Sequence, residues 1–234
     1  MTVAIIPARG GSKRIARKNI QPFCGKPILA WTIATAIDSK LFSRIIVSTD
    51  DEEIAAIARQ HGAEIPFMRP EHLSDDHTGT TAVVRHAIAT LTAAGENSRY
   101  YCCLYATAPF MHADALAEGL QQLIANQADY AFTVTEYPHP IQRALRIDNG
   151  CTHMLHPEHS QTRSQDLEVC YHDAAQFYWG TRDAWLQELP VFDSHSVPVI
   201  LPTHDVQDID TPDDWLRAES MFAARRTQTR QHAA

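Results

Sequence analysis

No stretch of this chain of 234 residues approaches the roughly 20 apolar residues that span a bilayer, which excludes a helical integral membrane protein. The opening Met1-Thr2-Val3-Ala4-Ile5-Ile6-Pro7 lacks a basic n-region and is broken at Pro7. It is expected to be the buried first strand of a cytoplasmic protein, not a signal peptide. Cysteine is sparse and unpatterned, with five residues at Cys24, Cys102, Cys103, Cys151 and Cys170 and no Cys-x-x-Cys. An odd number without metal or redox spacing fits buried thiols in a reducing compartment. Internal repeats, heptads and low-complexity tracts are absent as well. So is acidic charge before Asp38, although Arg9, Lys13, Arg14, Arg17, Lys18 and Lys26 all fall there. With the whole chain at −8, that segment carries +6 and the remainder −14. The net charge argues against a nucleic-acid binder. A basic loop on an acidic body suits a small, highly charged anion, the plainer alternative being a solvated basic face.

What is present is a balance of 44% hydrophobic and 21% charged residues, typical of a packed globule and not of a disordered chain. The length fits one domain over 1–234. Strand-like runs recur at Val3–Ile6, Arg44–Ser48, Tyr100–Tyr105, Tyr130–Val134, Gln176–Trp179 and Val197–Leu201. Helical periodicity marks Leu29, Ile33, Ala36 and Ile37, then Ile54, Ile57 and Ala58, then Ala82 to Leu91, then Ala113 to about Asn126. This alternation predicts an α/β fold with a mostly parallel sheet covered by helices on both faces.

Two regions depart from the alternation. Residues 138–171 are rich in His, Pro and Gln, and a loop of that length without structure is uncommon inside a compact domain. Within it, Ala144–Cys151 reads as a strand entering an Asn149-Gly150 turn, so a hairpin arm built against a second subunit is expected. Pro157 interrupts His153, His156 and His159, which are read as surface loop and not as a metal site. The tail after Met221 lacks an evident apolar face and is expected to fray.

Directly after the first strand comes Pro7-Ala8-Arg9-Gly10-Gly11-Ser12-Lys13-Arg14-Ile15-Ala16-Arg17-Lys18-Asn19. A triphosphate needs backbone N–H groups within close reach, which residues without a Cβ allow, together with fixed cations. Gly10 and Gly11 meet the first need, Arg9, Lys13 and Lys18 the second, and Ser12 adds a hydroxyl. The spacing matches neither a Walker A loop nor Gly-x-Gly-x-x-Gly. At the carboxyl end of a strand it is expected to be a phosphate site of another kind.

These residues resemble the signature of the acylneuraminate cytidylyltransferases, which make CMP-activated nonulosonic acids. The likeness continues through Ile45-Ile46-Val47-Ser48-Thr49-Asp50, through Arg69-Pro70 with Leu73-Ser74-Asp75-Asp76, and through Asp208-Ile209-Asp210-Thr211-Pro212. Within the family, Tyr105-Ala106-Thr107-Ala108-Pro109, Arg163-Ser164-Gln165-Asp166-Leu167 and Tyr171-His172-Asp173-Ala174 are most similar to the pseudaminic acid branch. Ala16 departs from the family's usual Pro. The resemblance implies a Rossmann-like, GT-A-like nucleotidyltransferase fold of three layers with a protruding dimerisation arm at 138–171, and a homodimer. It implies condensation of CTP with a nonulosonic acid, most closely pseudaminic acid. N-acetylneuraminic or legionaminic acid is the nearer alternative, and a silent nucleotide-binding protein the more distant one.

It also distributes roles. Ala8, Arg9, Gly10, Gly11, Ser12 and Lys13 would hold the nucleotide phosphates, with Asn19, Arg69, Asp76, Thr78 and Thr80 around base and ribose. An ion pair with a nearby acid is an equal reading of Arg69. Tyr105, Thr107, Gln165, Asp173 and Tyr178 would contact the sugar, and Arg163 its carboxylate from a partner subunit. Phe177 and Trp179 read as plain core. Thr211, Pro212, Asp213 and Asp214 read as helix capping. Asp208 and Asp210 alternate along an extended segment and so can face one point, where two hard carboxylates suit Mg²⁺. Arg9, Lys13, Lys18, Asp208 and Asp210 are therefore the expected catalytic residues.

Overall fold

A computed structural model describes the backbone of residues 1–232 and side chains through Arg225. Among the described residues, ten strands and six α-helices follow one another along the chain, with short 3-10 turns between them. They are β1 (Thr2–Pro7), β2 (Pro22–Phe23), β3 (Lys26–Pro27), α1 (Ile28–Asp38), β4 (Arg44–Ser48), α2 (Glu52–Gln60), α3 (Thr80–Ala93), β5 (Tyr100–Leu104), α4 (Ala113–Ala125), β6 (Tyr130–Glu136), β7 (Leu145–Asp148), β8 (Cys151–Met154), β9 (Tyr171–Thr181), α5 (Arg182–Gln187), β10 (Ser196–Leu201) and α6 (Pro212–His232). Six strands make the central sheet, in the order β10-β6-β9-β5-β1-β4. Pairings of β1 with β4 and β5, and of β10 with β6, are parallel, whereas β9 runs antiparallel between β5 and β6.

Residues alternate between the two faces of each strand, and here both faces are covered. Ala4, Ile6, Cys102, Leu104, Phe177 and Trp179 pack with α1, α2 and α4 on one side. Val3, Ile5, Tyr101, Cys103, Tyr130 and Tyr178 pack with α3 and α5 on the other. This produces the three layers implied by the family resemblance and explains why β1 reads as a continuous apolar run, Val3 through Ile6 being fully buried. Phe177 and Trp179 are core, as expected. Cys102 and Cys103 are fully buried thiols whose pKa burial pushes up, so they are not nucleophiles.

A third apolar cluster lies outside the sheet. Ile15, Phe23, Ile28, Phe110, Ile209, Trp215, Ala218 and Phe222 pack together along α6. The expectation that the tail frays after Met221 is corrected here, since α6 runs to His232 and Phe222 is buried in this cluster. Its start is capped as expected: Thr211 Oγ1 accepts from the Asp214 N–H, while the Asp214 carboxylate accepts from the backbone N–H groups of Thr211 and Asp210.

The arm contains the expected hairpin. Strands β7 and β8 pair antiparallel across Asn149 and Gly150, both at positive φ (50° and 79°), the geometry of a tight two-residue turn. His153 sits in β8 and not in a loop, because the hairpin extends further than the Pro157 signal suggested. Among the described residues no cluster of three or more His, Cys, Asp or Glu side chains is placed to hold a metal, and no helix is long and apolar enough to cross a membrane.

Candidate active site

The chain passes from β1 to β4 on one side and returns to β5 on the other, so the carboxyl ends of β1 and β5 border a topological switch point. Ligands of open α/β sheets bind there. A cavity of about 230 Å³ lies at this end, lined by Arg9, Ser12, Lys13, Arg14, Lys18 and Asn19 from the loop after β1. Arg69, Thr78, Thr80, Tyr105, Thr107 and Asp210 complete the wall.

Every cation of the loop meets a carboxylate. Arg9 pairs with Asp76 at 2.7 Å, and Lys13 reaches the other oxygen of the same carboxylate. Asp210 accepts from Arg14 at 2.9 Å and Lys18 at 3.2 Å. Arg17, in the left-handed region at φ 55°, turns away to Asp51 and Glu53. Asp51 also caps α2 by accepting from the Ile54 N–H at 3.0 Å, and the Arg17 guanidinium holds its carboxyl below the usual range. Asn19 is buried and donates from Nδ2 to the Arg9 carbonyl at 2.9 Å, which fixes the loop from beneath.

The glycines have different reasons from those expected. A Cβ on Gly10 would meet Asp51 Oδ2 at 2.7 Å and Asp51 Cβ at 3.1 Å, so a larger residue there would have to push the Asp51 side chain aside. Its N–H donates to Asp50 Oδ1 at 3.1 Å. Gly11 faces open space, and Ala8 is buried with its N–H on the Ser48 carbonyl. None of these three residues lines the cavity.

Arg69 reconciles its two readings. Its side chain is only 3% exposed and lies 3.5 Å from Asp50, an ionic approach without hydrogen-bond geometry. Nε and one terminal nitrogen have no partner, and burial pulls the guanidinium below its ordinary pKa against the pull of Asp50. A buried cation with unsatisfied donors facing a cavity is a strong reason to expect an acceptor there.

Asp210 lines the cavity, whereas Asp208 is exposed and does not. Surrounding protein and then the charge of Asp210 push the Asp208 carboxyl above its ordinary value. Two carboxylates near enough to repel, one already facing cations, form a hard-oxygen pair that a divalent ion would relieve.

A second cavity of about 190 Å³ adjoins the first through the shared residues Thr80 and Tyr105. Asp173 and Tyr178, two of the residues expected to contact the sugar, line it together with Thr81, Trp185, Val191 and Phe192. A bulge in β9 creates the polar corner. The register against β6 shifts between Phe132 and Val134, and Ala175 adopts φ 51°. Asp173 then accepts from the Ala175 N–H at 2.9 Å, and the Tyr178 hydroxyl donates to its other oxygen. Burial raises the pKa of both Tyr105 and Tyr178, so both remain neutral donors.

Arg163 and Gln165 do not reach either cavity. They lie on the arm, where Arg163 pairs with Asp166 at 2.7 Å. Sequence reasoning missed Arg14 and Ile15 inside the loop it had singled out. It also missed Trp185, Val191 and Phe192, which come from α5 and the segment after it and carry no local signal.

An α/β sheet with a cation-lined cavity at its switch point and Asp210 in the cavity wall suits a nucleotidyltransferase. The chain belongs to the cytidylyltransferase family, whose model matches residues 3–199. It is 46% identical over 221 residues to a pseudaminic acid cytidylyltransferase of Campylobacter jejuni, covering 94% of this chain and 95% of that one. It is 30% identical over 211 residues to an N-acylneuraminate cytidylyltransferase of Escherichia coli, covering 89% of this chain and 49% of that protein. A solved CMP:2-keto-3-deoxy-manno-octonic acid synthetase complexed with CTP shares the fold, with a TM-score of 0.71 over 96% of this chain and 99% of that one at 15% identity.

Proposed function

We propose that this protein condenses CTP with a nonulosonic acid, pseudaminic acid foremost, to give CMP-pseudaminate and pyrophosphate, acting in the cytoplasm as a homodimer. The observation that carries the reading is the junction of the two cavities. A cationic one faces Asp210, and it meets at Thr80 and Tyr105 a mixed one with a single carboxylate and an apolar wall. The 46% identity to a pseudaminic acid cytidylyltransferase supports the choice of sugar.

Charge sets the problem. The sugar is an anion and must approach the α-phosphate of a polyanion, and a unit pair at ~4 Å repels by about 1 kcal/mol in water and about 4 kcal/mol near a protein surface. Arg9, Lys13, Arg14 and Lys18 neutralise the phosphates and stabilise the departing pyrophosphate. Asn19, Arg69, Thr78 and Thr80 orient base and ribose. Asp173 accepts from a sugar amide or hydroxyl, Tyr105, Tyr178 and Thr107 fix the ring, and Trp185, Val191 and Phe192 suit acyl and deoxy methyl groups. The sugar's anomeric hydroxyl gives up its proton to solvent while its oxygen forms a bond to the α-phosphorus and the bond to the bridging oxygen of pyrophosphate breaks, so alignment and not a side-chain nucleophile does the work. Asp208 and Asp210 would hold Mg²⁺, which binds through one or two carboxylates plus substrate phosphates. When bound, that ion polarises the α-phosphate and lowers the pKa of the attacking hydroxyl.

The test is pyrophosphate release by the purified protein with CTP, Mg²⁺ and each of pseudaminic, N-acetylneuraminic and legionaminic acids. Release is expected with pseudaminic acid. Release with one of the others alone would reassign the sugar, and silence with all three would end the enzyme reading.

A further inference from the structure

Asp76 was expected beside base and ribose, yet its carboxylate spans two cations of the phosphate loop. Oδ1 takes Arg9 at 2.7 Å and Oδ2 takes Lys13. One oxygen for each cation is the pattern that two non-bridging oxygens of a phosphate would present. Lys13 remains 80% exposed with this contact made, and Asp76 is the acid that meets it. The contact is built and not incidental. Asp75 Oδ1 accepts from the N–H groups of His77 and Thr78 at 2.9 and 2.7 Å and from the Thr78 hydroxyl at 2.7 Å, which folds the turn that carries Asp76; Asp76 lines neither cavity itself but holds two cations that line the first. Arg9 also donates to the Asp75 carbonyl at 2.5 Å, so the same guanidinium grips the turn twice. The segment is fastened at both ends, by the Arg69 N–H on the Thr49 carbonyl at 2.8 Å and by the start of α3 at Thr80.

We propose that Asp76 occupies the phosphate seat of the free protein, as a carboxylate stand-in that the nucleotide's triphosphate must displace, and that its side chain swings off Arg9 and Lys13 when it does while Thr78 stays in the cavity wall. The inference rests on the nucleotide reading of the cavity and goes beyond it by giving Asp76 a role opposed to binding. The internal carboxylate keeps Arg9 and Lys13 placed and compensated while the site is empty, and its competition lowers the affinity for CTP.

The opposed sign makes this testable. Calorimetric titration of the full chain with CTP and Mg²⁺, without sugar, is expected to give affinity about three- to tenfold tighter in Asp76→Asn and Asp76→Ala than in the unaltered protein, the scale of one or two partly exposed ion pairs. Asp76→Glu, which keeps the charge, should stay close to the unaltered value. In a Lys13→Ala background the gain from Asp76→Asn should shrink, because one of the two displaced pairs is already gone. Equal or weaker CTP binding by Asp76→Asn would overturn the inference and leave Asp76 as an ordinary ligand of the nucleotide. Absence of CTP binding in the unaltered protein would instead remove the nucleotide reading, and this inference with it.

Discussion

Asp210 is where the acidic and cationic halves of the site touch. It accepts from Arg14 and Lys18, and its own N–H is held by Asp214 of the helix cap. Asp210→Asn keeps the shape and removes the charge, so turnover should fall by at least about a hundredfold, as happens when a group that stabilises the transition state is lost. The ion pairs themselves are partly exposed and worth at most about 1 kcal/mol each, so the melting temperature should move by only a few degrees. Steady-state rates alongside a thermal melt separate the two, and unchanged turnover would remove Asp210 from the mechanism. The candidate site was legible at this scale wherever its residues are contiguous. Five cations between Arg9 and Lys18 announce themselves, but their partners do not. Asp51 and Asp76 belong to loops after other elements, and nothing local marks them as acceptors. Phe192 was invisible for a similar reason: it reaches the second cavity only because it packs edge-on against Phe132 of β6, with ring centroids 5.2 Å apart.

At the scale of elements, the apolar runs recovered all six strands of the central sheet, since the inner strands are buried on both faces and edge strand β10, with Ile200 exposed, still buries Val199 and Leu201. The antiparallel course of β9 was not recoverable, because direction leaves no trace in a run such as Phe177-Tyr178-Trp179, and neither was the bulge at Ala175, where an ordinary residue takes a left-handed conformation. The third cluster was hidden because its members are scattered between Ile15 and Phe222. It has a functional consequence. Ile15 sits inside the cationic loop and Ile209 between Asp208 and Asp210, and both are buried in that cluster. One apolar anchor thus sets the phosphate loop and the acid pair relative to each other, and Lys18 closes the gap by donating to the Ile209 carbonyl at 2.6 Å. Ile15→Ala should lower stability by about 2–4 kcal/mol. It should also raise KM for CTP several-fold while leaving KM for the sugar unchanged, and Ile15→Val should restore most of both. A destabilised Ile15→Ala variant with unaltered KM for CTP would mean that the cluster supports the fold alone.

At the scale of the whole molecule, the arm is the part that the single chain leaves unexplained. Leu145, Ile147, Leu155, Val169 and Tyr171 are 59%, 78%, 53%, 53% and 44% exposed, an unusual concentration of bare apolar side chains in one segment. The Asn149-Gly150 turn made the hairpin readable and the length of 138–171 pointed to a second subunit, whereas the bare apolar strip was not legible, because nothing local separates an apolar residue that is buried from one left exposed. Arg163 and Gln165 are carried on the same arm and face neither cavity of their own chain. The proposed homodimer would satisfy both facts if two copies crossed arms, each covering the other's apolar strip and bringing Arg163 toward the sugar carboxylate at the other's site. A stable contact of this kind buries roughly 800 Å² on each partner. Light scattering coupled to size exclusion should therefore give twice the chain mass at micromolar concentration. Ile147→Glu, which places a charge at the most exposed apolar position of the arm, should shift the protein to monomer and raise KM for the sugar together with it, while CTP binding, confined to one chain, persists. A monomeric unaltered protein with full activity would leave the arm without this role, and a dimer whose Ile147→Glu monomer keeps its KM for the sugar would separate assembly from the completion of the site.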